Sequence, residues 1–350
     1  MIICPSFFNG RFDGIGRVSK EVSLAFEGLG HQPQILSAND PEELCLSKTS
    51  FGYGRNYSKM LLSSLIQSFH PPKLIVCMHL GLAPVARIVS RRYGVPYLIF
   101  LHGIEAWETL NFRRRWGLTK ARQFISNSNF TLRHFKSCTP SFSHIPADVV
   151  PLGIGIDLEE VLDLDRKPQI LIVGRLDQGE QYKGHRLLIS CLDLIAKEYP
   201  EVFLTIVGDG DDRKNLEHYA NQFSHREKIK FLGKVSDSEL SKLYLESMVF
   251  AMPSMGEGFG LVYLEAMAHG LPCICSDVDA AREVVVHEET GFVVDPSNPF
   301  DLAERILQLL RHPELRFRMG NAGKARYLTY FSQMVFQTRL QEVLNSHWCQ

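Results

Sequence analysis

The sequence predicts an α/β protein made of two Rossmann-like, doubly wound units. Three observations predict it. Short apolar runs alternate with longer amphipathic stretches, the rhythm that yields a parallel sheet with helices on its faces. That rhythm runs twice, interrupted between Val150 and Pro168. The 350 residues, 45% hydrophobic and 22% charged, suffice for two cores, since domains usually run ~100–200 residues.

In residues 1–150, Met1-Ile-Ile-Cys reads as a strand, Val18 to Leu29 as a helix, Leu74 to Met78 as a strand, Ala83 to Tyr93 as a helix and Tyr97 to Leu101 as a strand. Residues 151–168 mix turn formers (Val150-Pro-Leu-Gly-Ile-Gly) with acids and read as a linker. Residues 169–330 repeat the pattern: Ile170-Leu-Ile-Val, a helix from Lys183, Val202 to Val207, a helix from Asp212, Ile229 to Leu232 and a helix from Asp237. Val249-Phe-Ala-Met, a helix from Gly260 to His269 and Pro272-Cys-Ile-Cys follow, then helices through Leu302 to Leu310 and from Glu314. The final 331–350 segment has no strand to serve and is expected to pack back on the first unit.

Composition excludes disorder, collagen-like repetition and a disulfide scaffold. No stretch approaches the ~20 apolar residues of a membrane-spanning helix, and Met1 to Phe8 lacks the basic start of a signal peptide, so a cytoplasmic protein is expected. The eight cysteines form no C-x-x-C pair and read as reduced, apolar-like thiols; Cys273 and Cys275 would share one face of a strand. The net charge of −1 hides an asymmetry: residues 1–150 carry 17 Lys and Arg against 9 Asp and Glu, residues 151–350 carry 21 against 30. Different partners are expected for the two halves. Arg113, Arg114, Arg115 and Trp116 form a basic run with Phe112 and Leu118 as an apolar side, which suits either an anionic membrane surface or a solvated helix. Nucleic acid is not expected, because no motif supports it.

Ligands of open α/β sheets bind where strands enter helices, whose amino ends carry about half a positive charge. The first such junction, Asn9 to Arg17, is glycine-rich and reads either as a phosphate-approaching loop around Gly14 and Gly16 or as a tight turn. The second holds Gly174, Arg175 and, further on, Lys183-Gly184-His185, a guanidinium and an ammonium that together can neutralise a diphosphate. The third runs from Pro253 through Glu257, Gly258, Phe259, Gly260 and Leu261 to Glu265. From spacing alone, Glu257 and Glu265 are equally two sugar-binding acids or a helix-start acid and a solvated one.

Together these junctions resemble family 4 of the retaining glycosyltransferases, of the GT-B fold, in which two Rossmann-like domains face a central cleft. The matching residues are Gly14-Ile-Gly16, Leu101-His102-Gly-Ile-Glu105, Gly174-Arg175-Leu with Lys183-Gly184, Gly208-Asp-Gly210, Phe231 to Val235, and Glu257 with Glu265 as E-x7-E. The resemblance implies an acceptor-binding first domain and a donor-binding second one. It implies that Gly14 and Gly16 face the donor phosphates, that Arg175 and Lys183 bind the diphosphate, and that the backbone at Val235 touches the base. Gly208, Gly258, Phe259, Gly260 and Leu261 join the donor-binding set. Glu257 would bind the transferred sugar, Glu265 the ribose, and His102 would lie near the reacting carbon, as a base or as a structural histidine. Arg175 and Lys183 stand three residues further apart than in the commonest form, through Gly179, Glu180 and Gln181; a similar longer form ending in Tyr-Lys-Gly-His is found in exopolysaccharide mannosyltransferases. The first strand is short, and weak support for that edge of its sheet is expected.

The implied reaction is a retaining, metal-independent hexosyl transfer from a nucleotide sugar, GDP-mannose first and UDP-hexose next, to a saccharide or lipid-linked acceptor. The nucleotide sugar is a substrate and no cofactor is expected. Asp209-Gly-Asp211 and Asp277-Val-Asp279 imitate a metal-binding D-x-D but read as loop acids. Closure about the linker would exclude water, and the enzyme is expected free in the cytoplasm or peripheral on the inner face of the membrane. The alternatives are a catalytically degenerate nucleotide-sugar-binding subunit and a nucleotide-sugar epimerase of the same fold. A nicotinamide-dependent dehydrogenase would need a complete glycine fingerprint, which the sequence lacks.

Overall fold

The structure, a computed structural model, describes residues 1–8, 13–42, 49–66, 71–156 and 166–348. Asn9 to Phe12 of the first glycine-rich loop, residues 157–165 of the expected linker, Cys45 and Cys349 lie outside them. The chain divides into two compact units, Met1–Ile154 with Gln333–Gln350, and Gly155–Ser332.

Among the described residues, the first unit holds a parallel sheet of β1 (Ile2–Cys4), β2 (Ile35–Ser37), β3 (Ser50–Gly52), β4 (Ile75–Cys77), β5 (Tyr97–Leu101), β6 (Gln123–Ser126) and β7 (Ala147–Val149), in the order β3-β2-β1-β4-β5-β6-β7. The helices are α1 (Gly14–Gly28), α2 (Tyr57–Ile66), α3 (Ala83–Tyr93), α4 (Phe112–Leu118) and α5 (Asn129–Cys138). Asp13 caps α1 by accepting from the Gly16 N–H at 3.1 Å, and α3 stops at Gly94 in the left-handed region. β1 is not a weakly supported edge. It lies between β2 and β4 with every residue buried, so three residues suffice because neighbours bond it on both sides.

The second unit has α6 (His185–Glu198), α7 (Arg213–Ala220), α8 (Asp237–Glu246), α9 (Leu261–Ala268), α10 (Pro299–Arg311) and α11 (Pro313–Arg326). They accompany a parallel sheet of β8 (Lys167–Val173), β9 (Phe203–Val207), β10 (Ile229–Gly233), β11 (Ser247–Met252), β12 (Cys273–Ser276) and β13 (Gly291–Val294), ordered β10-β9-β8-β11-β12-β13. A capping box of Ser236 and Glu239 starts α8, and Asn298 with Pro299 starts α10. α6 begins at His185, not at Lys183: Gln178–Lys183 form a tighter 3-10 turn, and Gly184 turns left-handed between the two. Cys273 and Cys275 are fully buried free thiols, which burial keeps protonated.

After a π-helical stretch at Tyr327–Phe331, α12 (Gln333–Trp348) belongs to the first unit and packs on α1, with Gln341 Nε2 donating to the Ala25 carbonyl at 2.9 Å. No helix among the described residues is long and apolar enough to cross a membrane.

Each sheet order reverses once, between β1 and β4 and between β8 and β11. Chains leave the two strands in opposite directions there, which opens a crevice at their carboxyl ends. The glycines make close approach possible beside it: Gly208 has φ +138°, and a Cβ on it would stand 1.8 Å from the Gly174 carbonyl oxygen. Gly208→Ala is therefore expected to destabilise the protein by about 2–3 kcal/mol in urea unfolding. A change within about 0.5 kcal/mol would show that the strand ends are not packed so closely.

Candidate functional site

At the β8/β11 reversal, two loops of the second unit meet. The Met255 N–H donates to the Tyr182 carbonyl at 2.8 Å, tying the turn that carries Lys183 to the loop that carries Glu257. The Lys183 chain lies over Gly174, where a Cβ would stand 3.1 Å from its Cδ. Burial raises the Glu257 pKa; the Lys183 ammonium lowers it, the Glu180 carboxylate raises it, and the Phe259 N–H and Arg175 guanidinium lower it. Arg175, Lys183 and Glu257, named from separate stretches of sequence, thus act on one another. Glu180 joins them: it pairs with Arg175, and its Oε2 lies 3.0 Å from Lys183 Nζ.

The Glu257 loop is pinned from below. The Glu257 N–H donates to Asp279 Oδ2 at 2.8 Å, and the Ala280 N–H returns to the Glu257 carbonyl at 3.0 Å. Asp279 also accepts from the Ala281 N–H, so the second D-x-D spends this carboxylate on backbone. Asp211 likewise accepts from Gln178, and Asp209 faces Arg213. Gly258, Phe259 and Gly260 are buried, and Leu261 is the first residue of α9. Gly260 is left-handed at φ +87°, and a Cβ on it would collide with the Tyr263 ring. Only glycine lets the chain enter α9 at this angle.

Glu265 is not a solvated helix acid. It is 2% exposed, with the Tyr244 hydroxyl donating to its Oε2 at 2.8 Å. Gly208 bonds the Gly233 carbonyl and serves the packing of strand ends, and Val235 is half-buried just beyond β10.

In the first unit, Asp40 is fully buried and accepts from the Phe7 and Phe8 N–H groups and the Ser37 hydroxyl, while Ser6 donates to Asp13. Gly14 is exposed and Gly16 buried, its N–H given to Asp13. His102 Nε2 lies 2.8 Å from the Met78 carbonyl. A carbonyl only accepts, so the ring proton sits on Nε2 and Nδ1 carries the lone pair. Burial lowers its pKa and keeps the ring neutral, while its backbone is held by Glu105 and Asn127. Sequence reasoning missed His79, one residue past the Leu74–Met78 run. Burial lowers its pKa too, and Glu105, Arg114 and Asp13 act on it electrostatically.

The basic run has no continuous apolar side. Leu118 is core, and Trp116 lies under the Arg87 guanidinium, 4.0 Å from its ring centre; only Phe112 is broadly exposed. Arg113 and Arg115 are exposed, Arg114 half-buried. The helix turns these residues in different directions, so their spacing in sequence does not make one surface.

The model for "Glycosyltransferase Family 4" matches residues 12–158, and that for "Glycosyl transferases group 1" matches 157–326. A GDP-mannose-dependent monoacylated alpha-(1-6)-phosphatidylinositol monomannoside mannosyltransferase of Corynebacterium glutamicum is 32% identical over 63% of this chain and 61% of its own. The human alpha-1,3/1,6-mannosyltransferase ALG2 is 31% identical over 62% and 56%. The matches therefore span less than two thirds of these relatives. Among solved structures, the Anabaena protein Alr3699/HepE in complex with UDP-glucose has a TM-score of 0.80 at 20% identity, over 99% of this chain and 100% of that one. Sucrose-phosphate synthase from Thermosynechococcus elongatus also has a TM-score of 0.80, at 18% identity over 99% and 98%.

Burial raises the Asp279 pKa to about 7, against an ordinary 3.8. Between those values the folded chain holds a proton that the unfolded chain has lost, so this group's contribution to stability falls as pH rises from about 4 to 7. Asp279→Asn should accordingly gain on the wild type by about 4 °C or more in unfolding midpoint between pH 5 and pH 8. A pH-independent difference would mean that Asp279 is not a buried acid.

Proposed function

This chain belongs to glycosyltransferase family 4, and we propose that it transfers a hexose from a nucleotide sugar to a saccharide or lipid-linked acceptor with retention of configuration. The observation that carries the reading is the meeting of Lys183, Arg175 and Glu257 at the β8/β11 reversal.

Breaking the bond between the anomeric carbon and the diphosphate leaves negative charge on the leaving oxygen and positive charge on the ring. Lys183, Arg175 and the amino end of α9 stabilise the first. Glu257 accepts hydrogen bonds from the sugar hydroxyls, and Glu265 uses its remaining acceptor capacity for the ribose. The acceptor oxygen bonds to the anomeric carbon on the face the phosphate leaves, and its proton passes to the leaving phosphate oxygen. Gly258, Phe259, Gly260, Leu261 and Val235 line the donor side, and Gly208 keeps the strand ends close. Gly14 and Gly16 join the donor-phosphate set, and the neutral ring of His102, accepting at Nδ1, serves the reacting carbon. The names of the Corynebacterium and human relatives support mannose, and the first supports GDP-mannose as its carrier. The excess positive charge of residues 1–150 supports an anionic acceptor or membrane surface as a partner of the first unit.

Thermal unfolding in the presence of GDP, UDP and NAD tests the binding half. A nucleoside diphosphate at a hundred times its dissociation constant should add about 2.7 kcal/mol, and Lys183→Ala should lose most of that gain. Stabilisation by NAD alone would contradict the reading. For the chemistry, Glu257→Ala should reduce sugar transfer by about 100-fold while the fold persists; unchanged turnover would remove Glu257 from the site.

A further inference from the structure

Glu180 lies in the segment that lengthens the Arg175 to Lys183 spacing, at a break in the 3-10 turn with φ −121° and ψ 24°. Its carboxylate pairs through Oε1 with Arg175 Nη2 and through Oε2 with Lys183 Nζ at 3.0 Å. Its side chain is 13% exposed, that of Lys183 15%, and it raises the Glu257 pKa. One carboxylate therefore spans both cations assigned to the donor diphosphate and stands where the oxygens of an anionic ligand would bind. Arg175, Asp177, Glu180, Lys183 and Glu257 carry two positive and three negative formal charges, a balance that repels an incoming diphosphate while Glu180 stays in place.

Beside Glu180 is a small, partly open depression that it lines together with His185, Arg186 and Asp212. His185 is 3% exposed, and its Nε2 has no hydrogen-bond partner among the described residues. Arg186 lies 3.0 Å from Asp212. Burial keeps the His185 imidazole neutral, and the Arg186 guanidinium is held by Asp212.

We propose that Glu180 is a positioning residue: a built-in anion that holds Arg175 and Lys183 in register, yields them to the pyrophosphoryl group of the donor, and returns to compete with the nucleoside diphosphate product. This rests on the donor-site reading above and adds a control on entry and release. The carboxylate makes no bond to substrate and undergoes no covalent change; it exchanges ion pairs.

Titration of the full chain with inorganic pyrophosphate, GDP and UDP, together with stopped-flow release of a fluorescent nucleoside diphosphate, tests it in the wild type and in Glu180→Gln. The amide keeps the size and removes the competing charge. Affinity for pyrophosphate and for the preferred nucleotide should rise about fivefold, with slower release. A residue of merely structural importance would weaken binding when altered, so a gain is diagnostic. A well-folded E180Q that binds no more tightly than the wild type overturns the proposal while leaving the donor site intact. Wild type that binds neither nucleotide nor pyrophosphate overturns the donor-site reading and this one with it. Should E180Q fail to fold, Glu180→Ala in the same titration decides, tighter binding supporting the proposal and unchanged or weaker binding rejecting it.

Discussion

A half-buried carboxylate faced by an ammonium governs the second unit. Glu257 is kept from water by the loop that carries it, and without a nearby cation its charge would be expensive. Lys183, itself paired with Glu180, supplies that positive charge from the turn that follows β8, and the two loops meet where the strand order reverses between β8 and β11. Parallel strands whose chains leave in opposite directions leave room at their carboxyl ends, and side chains from both loops fill it.

Holding such a pair in place costs stability elsewhere. Asp279 is buried to fix the Glu257 backbone and keeps its proton to about pH 7 in consequence. Glu265 is buried in α9 and depends on a hydroxyl from α8. Buried acids gather around this one loop, as they do where binding groups must be oriented in advance of a ligand.

Much of this was legible in the sequence. The strands with continuous β-branched runs, β8 and β9, and the long amphipathic helices stood out by periodicity, and the residues at the strand ends followed from the rule that loops after strands bind ligands. Among the strands of three or four residues, the apolar β1, β4 and β12 stood out, but those with polar ends did not. β2, β3 and β6 end on or begin with Ser37, Ser50, Gln123 and Ser126, polar residues that are buried because partners elsewhere in the chain satisfy them, as Asp148 does for Gln123. The burial of Glu265 depends on Tyr244, 21 residues away, and no local pattern encodes that distance. For Glu180 the sequence offered only an unusual spacing; that its carboxylate reaches both cations depends on a kink in the turn. The placement of the basic run was not legible for a related reason: Phe112, Trp116 and Leu118 stand close in sequence but are divided between solvent, an arginine stack and core.

The central claim is that the cations beside Glu257 receive a pyrophosphoryl group. A crystal structure of the protein with GDP or UDP tests it most directly. The account predicts phosphate oxygens within about 3.2 Å of Lys183 Nζ and of the Arg175 guanidinium, at the amino end of α9. Density for the pyrophosphoryl group at any other place, with Lys183 and Arg175 still bound to Glu180, would contradict it.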